Sequence, residues 1–326
     1  MATRINATRD VRKDDTIIAF MGPTGAGKSF FIDLLTGASD QDRRAGSTLR
    51  SVTSQIEATT VVYPFDENKR VVLVDTPGFD DTTRSDMQIL QMISEWLQST
   101  YKADVKLSGL IYLHRITDNR MAGSPYKNLR MFGELCGDVA MNQVFLVSTM
   151  WGKIKPEIGA AREKELVQRF WEPLIKKGSR VERLSETKSD EAWRIVKILI
   201  DIHDKKLTKE IVLLQEEMVD LGIKLNETQA GKTLYTSLQK QLVDQKDALK
   251  SLLAQVEKSN DRELTKELKK EYDKIEADFQ KTFEEAKKFK VSLGTKIAGI
   301  FGGKKAKAKA NTTSAICGSS FRRSRQ

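Results

Sequence analysis

Eight consecutive residues, Gly22, Pro23, Thr24, Gly25, Ala26, Gly27, Lys28 and Ser29, match the pattern G-x-x-x-x-G-K-[ST] in full. A turn of this composition can hold a polyphosphate. Backbone N–H groups must close around phosphate oxygens, and a β-carbon at the glycine positions would block the approach or the dihedral angles it needs. Lys28 brings a fixed positive charge to the β and γ phosphates, and Ser29 offers a hydroxyl ligand to Mg2+. A helix starting at this point adds its own partial positive charge. The bland alternative, a glycine-rich turn before a helix, does not account for the complete motif in the right context.

A second element stands where a phosphate site would need it. Asp75, Thr76, Pro77 and Gly78 follow an apolar run at 71–74, so Asp75 can hold Mg2+ through water and the N–H of Gly78 can meet a γ-phosphate. Between the two elements lies a polar stretch, 44–54, rich in serine and threonine and suited to a loop that closes over the metal. Thr53 is the choice for its hydroxyl ligand because it sits just before the next apolar run, with Thr48 the rival. A solvated loop hydroxyl is the competing reading of either.

The elements that must position these groups follow from hydrophobic periodicity. Residues 16–21 (TIIAFM) read as a strand that flows into the glycine-rich turn, and 29–36, closed by Gly37, read as a helix. Further strands are expected at 56–63, 70–75, 107–114 and 143–148, with a weak one at 180–184. Helices are expected at 87–101, 126–136, 160–177 and 191–204. Strands alternating with helices predict an α/β P-loop fold, a mainly parallel sheet flanked by helices. This domain is expected to span 15–204, behind a flexible N-terminus at 1–14.

From 205 to 290 the pattern changes. Leu207, Ile211, Leu214, Met218, Leu221 and Leu225 step by 4, 3, 4, 3 and 4, as in a coiled-coil seam. Gly231 interrupts the seam, which resumes out of phase at Tyr235 and Leu238. A parallel dimeric coiled coil and an intramolecular helical hairpin both satisfy such a stripe. The remaining 291–326 is read as a basic, partly amphipathic and mostly disordered tail. From Lys287 onward there are eleven basic residues and no acid, so the +10 net charge of the 326-residue chain belongs to that end. Phe289, Leu293, Ile297 and Phe301 at i, i+4 spacing could lie on an anionic membrane, or simply close the helical module. Nucleic acid is the less fitting partner, because the run lacks interleaved aromatic residues. Cys136 and Cys317 have no Cys or His partner nearby, and no stretch suits a signal peptide or a membrane span. The expectation is a cytoplasmic protein, or one peripheral on a membrane.

Together GPTGAGKS, the loop ending at Thr53 and DTPGFDD resemble the septin-like branch of P-loop GTPases of the TRAFAC class. That branch includes the chloroplast import-receptor and immune-associated GTPases. The stretch LSGLIYLHRITDNRMAGSPYKNLRMFGELCG, with VSTMWGK, is similar to uncharacterised G-domain-containing proteins common in fungi. The resemblance covers about residues 15–204 and implies binding of GTP and GDP with Mg2+, often with nucleotide-controlled dimerisation.

Two departures bear on chemistry. An N/T-K-x-D motif normally selects guanine, but here Ser148, Thr149, Met150, Trp151, Gly152 and Lys153 hold no acid in register. Trp151 could stack on a base or serve as a structural tryptophan. Phe79 stands where Ras-like enzymes place a water-orienting glutamine, and a phenyl ring makes no such hydrogen bond. Slow turnover, or catalysis completed by a dimer partner through His114 and Arg115, is the expectation, against a structural role for His114. The sequence therefore points to a nucleotide-controlled switch or assembly module with slow Mg2+-dependent GTP hydrolysis. An ATP-binding P-loop protein and a non-hydrolysing coiled-coil assembly protein are the alternatives.

Overall fold

A computed structural model describes residues 2–38, 55–81, 84–121, 123–205, 211–258 and 262–288. At its centre is β2 (Thr16–Met21), whose six residues are all buried. An unbroken apolar run of this kind suits a strand covered on both faces. Parallel neighbours flank it, β4 (Asp66–Asp75) on one side and β5 (Gly109–Arg115) on the other. Beyond β5 lie β6 (Val144–Thr149) and β7 (Arg180–Arg183), both parallel to it. Beyond β4 lies β3 (Glu57–Tyr63), then β1 (Thr3–Ile5), both joined antiparallel, giving the order β1-β3-β4-β2-β5-β6-β7.

The segment read as a flexible N-terminus thus supplies an edge strand. Three residues with one apolar side chain carry no readable period, and pairing of Thr3 with Thr60 through Ile5 with Ala58 is set by β3. The Trp96 indole N–H also donates to the Ala7 carbonyl (3.0 Å), tying the segment to α2 (Asp86–Lys102).

Alternate residues of the sheet face two helical layers. Ile18, Phe20, Ile111, Leu113, Phe145 and Val147 pack in one cluster with Phe31 and Ile32 of α1 (Lys28–Thr36) and Val196, Leu199 and Ile200 of α6 (Ser189–Asp204). On the opposite face Tyr112 meets Phe132 of α3 (Ser124–Cys136), with ring centroids 4.8 Å apart. After β6 the chain forms α4 (Pro156–Glu165), a π-helical turn at Leu166–Phe170 and α5 (Glu172–Lys176).

Beyond α6 the structure departs from the regular seam. The only helical turns before Gln229 are α7 (Leu213–Gln215), a π turn at Glu216–Asp220 and a 3-10 turn at Leu225–Glu227 among the described residues. Gly222, in the left-handed region at φ 64°, stops any continuous helix, and Leu221 is exposed. Leu214 is buried where α7 packs on α2 and α3, so the stripe satisfies an intramolecular partner. The Gln215 amide donates to the Leu97 carbonyl (3.2 Å) and the Tyr101 hydroxyl to Asp220 Oδ2 (2.8 Å). Leu207 lies outside the described residues.

Two long helices follow, α8 (Gln229–Lys258) and α9 (Arg262–Lys288). The Gln241 amide donates to Thr282 Oγ1 (3.4 Å), so α9 runs back along α8 as a hairpin. Leu234 and Leu238 of α8 are buried, and α8 packs on α3. Gly231 lies in the first turn of α8, where a β-carbon would fall 2.0 Å from the Leu225 carbonyl oxygen. It permits a close backbone approach and does not interrupt a seam. Met1–Lys290 forms one compact unit, and the four apolar positions of the tail lie outside the described residues.

Candidate functional site

The P-loop joins β2 to α1. Gly22, at φ 134°, passes so close to β5 that a β-carbon would lie 2.4 Å from the Leu113 carbonyl oxygen. Gly25 and Gly27 turn the chain through the left-handed region at φ 77° and 94°. The turn then feeds α1, with the Phe31 N–H donating to the Gly27 carbonyl (2.8 Å).

Lys28 is 6% exposed, and its ammonium donates to the carbonyls of Gly22 (3.1 Å) and Pro23 (3.0 Å). Burial pulls its pKa down to about 8, offset in part by Asp75 and Asp81 and reinforced by Arg115. A cation so desolvated gains more from an arriving phosphate than an exposed one would. The Ser29 hydroxyl donates to Asp75 Oδ2 at 2.6 Å, and Asp75 is 1% exposed at the end of β4. A hydroxyl beside a buried carboxylate is an oxygen donor set of the kind that would fit Mg2+.

The D-x-x-G loop closes on the P-loop. The Thr24 N–H donates to the Phe79 carbonyl (2.9 Å), and Thr24 Oγ1 donates to the Gly78 carbonyl (3.3 Å). A β-carbon on Gly78 would fall 2.6 Å from the Thr24 nitrogen, so only glycine fits. The Phe79 ring is fully buried and serves packing. Asp80, held at φ 63°, turns the chain and donates its N–H to Asp86 Oδ1 (2.8 Å). Asp86 also pairs with Lys127 of α3 (3.2 Å).

At the far end of the loop, Thr149 Oγ1 donates to the Ala26 carbonyl (2.9 Å). Trp151 follows, half-buried, its indole N–H donating to Ser148 Oγ (3.0 Å). The Arg183 guanidinium lies 3.7 Å from its ring centroid. Arg183 gave no sequence signal, because only the pairing of β7 with β6 brings it beside Trp151.

His114 does not stand ready to reach a partner protein. His114 is 3% exposed, its ring edge-on to Trp171 (6.3 Å), and burial pulls its pKa down to about 4, so it is neutral. Its position on β5, where alternate residues face α3, buries it. Arg115 pairs with Asp118 (2.9 Å) and lies over its own P-loop, its Nη1 3.0 Å from where a β-carbon of Gly25 would be. Thr53, Thr48 and the whole of 39–54 lie outside the described residues.

This topology, with a complete P-loop after the central strand and D-x-x-G after its neighbour, is a P-loop GTPase fold. The family model described as 50S ribosome-binding GTPase matches residues 17–130. No curated protein matches the sequence. Among solved structures, Toc33 from Arabidopsis thaliana in complex with GDP and Mg2+ is 15% identical, with 61% of this chain and 88% of that chain covered and a TM-score of 0.48. Toc33 from the same plant with Mg2+ and GMPPNP is 17% identical, with 59% and 86% covered and a TM-score of 0.45. Era in complex with MgGDPNP and a 16S ribosomal RNA segment is 15% identical, with 62% and 60% covered and a TM-score of 0.42.

Proposed function

We propose that the chain is a GTP-binding switch whose nucleotide state is passed to the helical hairpin. The observation that carries this is the Thr24 to Phe79 hydrogen bond, because it spends on the D-x-x-G loop a P-loop N–H that a γ-phosphate would claim. A diphosphate leaves that contact in place, whereas a triphosphate competes for it. The two nucleotides therefore favour different positions of 76–86.

The route onward is short. Asp86 takes the Asp80 N–H and the Lys127 ammonium. Its neighbour Ser85 caps α2 and lines the same cleft as Glu285, near the end of α9. Movement of the loop thus bears directly on the hairpin. Lys28 and the loop amides would hold the phosphates, while Ser29 and Asp75 would hold Mg2+, which supplies charge neutralisation at the phosphates.

We place the domain in the septin-like branch, on GPTGAGKS and DTPGFDD. Buried Phe79 favours slow hydrolysis, since it cannot orient water. Titration with labelled GTP, GDP, ATP and ADP in the presence of Mg2+ tests the reading, and a preference for adenine nucleotides would overturn it. Single-turnover release of phosphate separates a slow hydrolase from an assembly protein that keeps its nucleotide. Absence of product at every protein concentration would leave the second.

A further inference from the structure

The P-loop explains how phosphates are held but not how a base is chosen, and 148–153 hold no carboxylate. This inference rests on the GTP reading above and concerns the other end of the nucleotide. The tip of β6 is fixed to the P-loop at two points. Thr149 donates to the Ala26 carbonyl, and Met150, in the left-handed region at φ 65°, brings Cε to 3.6 Å from where a β-carbon of Gly27 would sit. Trp151 comes next in the chain, so its indole follows directly on two residues anchored to the phosphate cradle.

That indole is one side of a built site. Its edge packs on Gly159 of α4, where a β-carbon would fall 2.7 Å from the ring. The Arg183 guanidinium lies over its face at 3.7 Å. Glu163 takes Nε and Nη2 of Arg183 and also accepts from Ser148 Oγ (2.8 Å). Arg183 Nη1 donates to no described residue, and the side chain is 41% exposed. The guanidinium is therefore fixed by an aromatic face and a carboxylate, while its outer pair of N–H groups is left open.

We infer that Arg183 selects guanine through O6 and N7. Guanine presents two adjacent acceptors on that edge, whereas adenine places an amino donor beside N7, so a two-donor fork pairs with the first and opposes the second. A carboxylate would read the other edge, N1–H and the 2-amino group. Arginine suits this task where lysine does not, because its donors are planar and preset. Glu163 holds the fork in plane and keeps it from swinging toward the phosphates.

Competition binding with GTP, ITP, 7-deaza-GTP and ATP tests the assignment on the full chain. Inosine keeps O6 and N7 but lacks the 2-amino group, so ITP should bind within about threefold of GTP if Arg183 makes the choice, while 7-deaza-GTP and ATP should bind roughly 5- to 150-fold more weakly. Arg183→Lys, which retains a cation for Glu163, should bring GTP and ITP down toward ATP and leave ATP unchanged. Thermal unfolding of the variant shows whether it folds, and Glu163→Gln with Arg183→Gln removes both charges should the lysine variant fail. An ITP affinity as poor as that of ATP would overturn the inference, as would full guanine preference in a folded Arg183 variant, and both leave GTP binding intact. A wild-type chain that binds none of the four overturns the nucleotide reading itself.

Discussion

The amide of Thr24 and the carbonyl of Phe79 are 2.9 Å apart, so the two loops that would share a γ-phosphate are hydrogen-bonded to each other. Nucleotide response follows from which partner that amide takes. With a non-hydrolysable GTP analogue the Asp80 N–H, now bonded to Asp86, should exchange with solvent faster than with GDP. Hydrogen exchange read by mass spectrometry over 76–86 checks this, and equal protection in both states would rule out the proposed coupling.

Lys28 should make nucleotide binding pH-dependent. With a pKa near 8 against an ordinary 10.5, half of its charge is lost in the free protein at about pH 8. Bound phosphate favours the charged form, so binding takes up a proton between about pH 8 and 10.5 and apparent affinity falls as pH rises. For folding alone the sign is opposite: the unfolded chain binds more protons in this window, and the cost of burying the ammonium is relieved as pH rises. Calorimetry at pH 9 in two buffers of different ionisation enthalpy should show the uptake. Lys28→Ala should abolish it and weaken triphosphate binding by roughly 100-fold.

Glu285 should alter affinity at a site it does not touch. Removing its carboxylate takes away the acidic group that α9 sets in the cleft shared with Ser85, where α2 begins. Coupling between two sites is reciprocal, and a typical coupling free energy corresponds to about 5-fold or more in affinity. Glu285→Ala should therefore change the ratio of GTP to GDP affinity by about that factor, with phosphate contacts untouched. A ratio equal to that of the wild type would confine the hairpin to a structural role.

His114 should account for part of the acid sensitivity. Its pKa, moved by burial from 6.5 to about 4, means the unfolded chain takes up a proton that the folded one refuses. Stability contributed by neutral His114 is complete above about pH 6.5 and is lost as pH falls toward 4. The loss is on the order of 3 kcal/mol. Urea unfolding of wild type and His114→Asn at pH 7.5 and 4.5 measures it. A difference between them that does not change with pH would refute the assignment.

Much of the fold was legible because its strands are short apolar runs and its helices are periodic. TIIAFM at the centre of the sheet and GPTGAGKS behind it are local signals, and the structure places both as their residues dictate. Lys28, Ser29, Asp75 and Gly78 come together for the same reason, since each lies at the C-terminal edge of β2 or its neighbour β4. What escaped depends on contacts between distant segments. Thr3–Ile5 becomes a strand only because β3 offers an edge. The spacing from Ile211 to Leu225 mimics a continuous helix, yet Leu214 is spent on α2 and α3 while Leu221 is left exposed. Arg183 has no motif around it and acquires a role only from strand register. The burial of His114 could have been anticipated from its alternation with Tyr112 on β5.

The hairpin leans on α3, and α7 seals the flank of α2. Anyone excising the P-loop half at Asp204 for crystallisation would strip oily cover from those two helices. The fragment would emerge sticky and prone to self-association, and a cut after Lys288 is the safer one.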